Sequence, residues 1–134
     1  MATATLRIET KGILRFSRWD ALFIALAALH GIILMAWPAA AVIAIGVWWN
    51  SNTISHNFIH RPFFRSRFLN LVFSAYLSAL LGIPQALWRD RHLAHHAGVV
   101  WRMRVTPRLA VETLLVLGLW TILAVVNPGF FLAT

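Results

Sequence analysis

The chain has 134 residues, 60% of them hydrophobic and only 12% charged, with a mean hydropathy of +0.72, which is more apolar than a water-soluble domain uses. Its formal charge of +8 comes from Lys and Arg that flank apolar runs, as juxtamembrane charges do, so no nucleic-acid partner is expected. Cysteine is absent, which excludes disulfides and thiolate-bound metals and leaves nitrogen and oxygen as the available metal donors.

The expected fold is an all-α integral membrane protein: a transmembrane helical hairpin, an interfacial or re-entrant helix and a third transmembrane helix, within one domain spanning 1–134. The first span is 19–37, "WDALFIALAALHGIILMAW", whose helical length of about 27 Å matches the hydrocarbon thickness. Arg15 and Arg18 precede it, and its length and apolar continuation suit a span or signal anchor better than a cleaved signal peptide. Pro38 punctuates, and 39–57 returns across the bilayer to bring His56 to the side of the N-terminus.

Polar residues then enter the second helix: Asn50, Ser51, Asn52, Thr53 and Ser55. At that depth they should face protein or a water-filled cavity. Segment 66–87 is long enough to span, but Asn70, Ser74 and Ser78 form a stripe at spacing four, Gly82 and Pro84 break its end, and arginines flank both sides. An interfacial or shallow re-entrant helix meets all of these conditions. The third span is 109–126, stopped by "NPG" at 127–129. This topology puts all twelve basic residues on one face, which the positive-inside rule makes cytoplasmic.

Five of the six histidines fall between positions 56 and 96, in "HNFIH" (His56, His60) and "WRDRHLAHH" (His92, His95, His96). On a helix the first pair is spaced i, i+4 and the second set i, i+3, i+4, so each can present its rings from one face. Neutral imidazole suits Fe, Zn, Cu and Ni. A single histidine at a helix end is usually just solvated at the headgroup level, but two clusters with ligand spacing on the same side point to a metal site.

With its patterns His-x-x-x-His and His-x-x-His-His, this pair of motifs resembles the first two histidine boxes of the membrane fatty acid desaturase family. The resemblance covers about residues 20–130. It implies a non-haem di-iron site, two iron ions with His56, His60, His92, His95 and His96 as ligands, and O2 as co-substrate. The implied reaction removes two hydrogens from a fatty acyl chain to leave a double bond, a step of lipid metabolism on a membrane lipid or acyl substrate. The family's third box, a further His-x-x-His-His, does not occur in these 134 residues, so the chain is expected to be an N-terminal fragment.

The chemistry argues the same way without the family. An unactivated methylene has neither an acidic proton nor an electrophilic carbon, so a redox metal with O2 is the suitable reagent. The chain carries no dinucleotide fingerprint or haem-attachment motif, so electrons are expected from an external donor of the ferredoxin or cytochrome b5 type. Two alternatives share these features: a membrane hydroxylase or ketolase acting on alkanes, sterols or carotenoids, and a non-enzymatic bis-histidine haem membrane protein.

Other residues carry weaker signals. Asp90 could orient His92 from behind or form a salt bridge to an arginine. Asn52, four positions before His56, could support the site or bond between helices. His30, in mid-span, reads as a neutral packing histidine distant from the boxes. Trp48 and Trp49 read as core. Arg61, Arg65 and Arg67, interleaved with Phe63, Phe64 and Phe68, read as an interfacial anchor.

Overall fold

Apolar runs separated by glycine, proline and short polar loops fold into helices. The computed structural model describes residues 12–37, 39–126 and 128, and no strand forms among them beyond an isolated bridge between Leu14 and Phe64. Arg7 and Lys11, Pro38 at the expected turn, and Asn127 and Gly129 of the expected stop lie outside the described residues.

Helix α1 spans Asp20–Ala36. The next helix is continuous but changes winding twice: α2 (Ala40–Trp49), a π-helical segment (Asn50–Ser55) and α3 (His56–His60) follow one another with right-handed helical backbone at both joints. A hydrogen bond one residue longer than usual turns whatever follows by about 100° relative to a regular helix. The change comes directly before the first histidine box.

The loop after His60 is tied to the segment before α1, through Arg15 N–H to the Phe63 carbonyl at 2.8 Å and Arg65 N–H to the Ile13 carbonyl at 3.0 Å. Asn70 clamps the same loop, accepting from Phe64 N–H at 3.0 Å and donating to its carbonyl at 2.8 Å.

Helix α4 spans Arg67–Leu81, capped by Ser66, whose hydroxyl accepts from Leu69 N–H. It ends at Gly82, with φ +67°, the left-handed conformation that only glycine adopts without strain. A Cβ there would also meet the Trp120 indole at 3.0 Å. Pro84 then starts α5 (Gln85–His96) at 94° to α4. The single interfacial helix expected over 66–87 is therefore two: it stops at Leu81, and residues 85–87 belong to the helix that carries the second box. Of the polar stripe, Ser74 and Ser78 are fully buried against protein. Helix α6 (Pro107–Val126) opens with Thr106 as its cap, accepting from Leu109 N–H at 3.2 Å, and proline in its first turn.

The core gathers Ala27 from α1, Ile54 and Phe58 from the second helix, Phe63 from the loop, and Phe73 and Leu77 from α4. Phe58 meets Phe63 and Phe73 edge-on, with centroids 5.3 and 5.1 Å apart, a favoured aromatic geometry. Phe63, expected in an interfacial anchor, is thus core. Trp48 and Trp49, expected as core, are exposed. Among the described residues, α6 alone is by length and composition apolar enough to cross a membrane, and the bent pair α4–α5 passes the same test taken together.

Candidate metal centre

Both histidine boxes lie at C-terminal helix ends, His56 and His60 on α3 and His92 and His96 in the last two turns of α5. In each case the i, i+4 spacing stacks two imidazoles on one face. The packing of α3 against α5 brings the two faces together. Ring centroids of His56 and His92 are 4.6 Å apart, those of His60 and His92 5.0 Å, and those of His60 and His96 4.9 Å. The Nε2 atom of His92 lies 3.0 Å from that of His60 and 2.9 Å from that of His96.

One ring nitrogen from each of His56, His60, His92 and His96 falls within 4.8 Å of the others. Two nitrogens each about 2.1 Å from one ion lie at most about 4.2 Å apart, so four nitrogens within 4.8 Å of one another need only a slight inward movement of the rings to share one ion. His95, the fifth expected ligand, is exposed and outside this group, its ring 5.9 Å from that of His96.

The electrostatics suit ligation. His60 and His92 are held below the ordinary imidazole range, first by lost hydration and then by repulsion from His56 and His96. Both are therefore neutral at physiological pH, with a lone pair available to a metal. Trp88 stacks on His92 at 5.9 Å and 25°, fixing that ring's plane. The buried Nε1 of Trp88 has no hydrogen-bond partner among the described residues.

A fatty acid desaturase family model matches residues 31–107, which contain both boxes. The chain belongs to the fatty acid desaturase family. No curated protein and no solved structure matches it. The family is one of membrane-associated oxidoreductases of lipid metabolism that use iron, and the histidine cluster is the part of this desaturase-family chain with donors for such a metal.

The other candidates are placed elsewhere. Asp90 pairs with Arg89 at 3.4 Å on the surface. Asn52 donates to the Trp48 carbonyl at 2.9 Å, since the π-helical winding breaks the regular spacing that would have aligned it with His56. His30 is buried against Gly46, and its Nδ1 accepts from Asn50 Nδ2 at 2.8 Å, so it packs between α1 and the second helix, as expected.

Sequence reasoning passed over Gln85 and Glu112, two of the buried polar residues behind the desaturase boxes. Glu112 on α6 is 3% exposed. Its Oε1 accepts from Ser74 Oγ at 2.7 Å and Arg108 Nε at 3.0 Å, and its Oε2 from the Ala86 N–H at 2.6 Å. A carboxylate inside the run 109–126 was the available signal, because an ionisable group within an apolar span marks function or a specific partner.

Proposed function

We propose that the chain supplies the first two histidine boxes of a membrane desaturase and that His56, His60, His92 and His96 hold one iron between them. The carrying observation is the convergence of these four imidazoles from two separate helices. Iron bound there would supply the O2-dependent removal of two hydrogens from an unactivated acyl chain. The imidazoles hold the metal without adding ligand charge, and lost hydration, followed by repulsion from the neighbouring rings, favours the unprotonated form of His60 and His92. The second iron of the expected di-iron pair would draw on His95 and on donors beyond these four. An external carrier of the ferredoxin or cytochrome b5 type would deliver the electrons.

The surface supports membrane residence. On α6, Leu114, Leu117, Ile122 and Val125 are exposed, as are Leu29, Ile32 and Met35 on α1; so large an apolar area is stable only against lipid or another apolar surface. In the proposed topology α1, residues 40–57 of the second helix and α6 cross the bilayer, α4 and α5 lie at its inner face, and the boxes open to the cytoplasm beside the arginines.

The test is product analysis of lipids from cells expressing the chain joined to a segment that carries the third histidine box, with metal content measured on the purified 134-residue chain. A new double bond that depends on His92, together with bound iron, is the expected result. An added hydroxyl moves the assignment to a hydroxylase, and an intense Soret band moves it to a haem protein. Protein that binds no iron under anaerobic reconstitution overturns the proposal.

A further inference from the structure

An apolar helix contact is non-directional, so a helix held by such contacts alone can turn or slide at little cost. One residue of register corresponds to about 100° of rotation, enough to carry His92 and His96 away from His56 and His60. Directional bonds at the opposite end of α5 remove this freedom. Ser55, the residue before His56, is fully buried and its hydroxyl donates to Gln85 Oε1 at 2.5 Å. Gln85, the first residue of α5, is 1% exposed, and its N–H donates to Ser78 Oγ at 2.9 Å. The following N–H, of Ala86, is taken by Glu112. The first turn of the second-box helix is thus fastened to the residue adjoining box one, to α4 and to α6.

On the metal-centre reading above, we propose that Gln85, gripped by Ser55, and Glu112 are positioning residues that set the rotation and register of α5 and so bring the two histidine boxes into contact. Neither is a metal ligand. Their effect reaches the site through the backbone of α5.

The chain has no cysteine, which permits a test that needs no metal. In a His60→Cys/His92→Cys chain purified whole in detergent, a short bifunctional thiosulfonate is expected to join the two thiols. Adding Ser55→Ala or Gln85→Leu should slow the joining about tenfold, and in the all-histidine chain the same changes should weaken Co(II) binding, read by its visible absorption, about tenfold. Ser55→Ala removes a single oxygen and carries the test should Gln85→Leu not fold.

The Ser55→Ala/Gln85→Leu double variant separates positioning from plain stability. Replacing both partners with apolar groups should restore thermal stability, while joining stays slow. Joining at the parent rate in Ser55→Ala, or in the double variant, overturns the proposal, as does a parent cysteine pair that does not join at all. A parent pair that joins while the all-histidine chain takes up no Co(II) sinks the metal centre and leaves the positioning of α5 standing.

Discussion

At the metal cluster His60 and His96 are exposed, and the described polar contacts of the rings are with one another. At the other end of α5 the polar groups are sealed: Ser74, Ser78, Gln85 and Glu112 are all buried, and hydroxyl, carboxylate and backbone N–H meet complementary partners. Both regions gather polar side chains from several helices, yet only the second is satisfied within the chain. The difference separates an open cluster of rings, where the function proposed above places a metal, from a region whose bonds hold the scaffold still. Buried polar groups with complete partners rigidify a fold.

The contrast is broken most severely at the cluster. His92→Ala removes the ring that lies closest to both His60 and His96 and is expected to abolish iron retention while membrane insertion is unchanged; metal analysis of the purified variant checks this, and wild-type iron content would refute the ligand assignment.

Glu112→Leu should act instead on stability. It leaves Arg108 and the Ala86 N–H without their carboxylate at a buried site, and the expected loss is about 3 kcal/mol in denaturant or SDS unfolding. An unchanged midpoint would show that the seam does not hold the fold.

The metal-free chain sharpens the comparison through pH. Folding holds His60 and His92 below the ordinary imidazole range, so below about pH 7 the unfolded chain takes up protons that the folded cluster refuses. Stability is therefore expected to be level above that pH and to fall as acid is added, with His92→Gln flattening the slope. The smallest effect belongs to Asp90→Asn. Its pairing with Arg89 is exposed, and such pairs contribute under about 1 kcal/mol, so iron content and unfolding midpoint should both stay close to wild type.

The helical class and the two histidine pairs were legible because both rest on local spacing: apolar runs of sufficient length between breakers, and His-x-x-x-His on one helix face. The same local reasoning misplaced Asn52. It assumed regular winding across Asn50–Ser55, where the structure inserts π-helical turns. It also carried the helix at 66–87 past Gly82 and Pro84 into the first three residues of α5, because the size of a bend at a breaker depends on what packs on either side. The stripe of Ser74 and Ser78 was visible, but spacing reveals that polar residues share a face and not what that face meets. Trp48 and Trp49, read as core, are exposed because the second helix turns other residues, Ile54 and Phe58, toward the centre.

By itself the sequence determined the helices, the metal-compatible donor types and the pairing of His56 with His60 and of His92 with His96, since each follows from composition or from a repeat of less than two helical turns. Only the tertiary structure decided that the two pairs meet, that His95 is left out, and that Gln85, Ser55 and Glu112 fasten one helix against another. Those outcomes depend on the relative rotation of helices distant along the chain, which is set by close packing and directional bonds between them and by no local pattern.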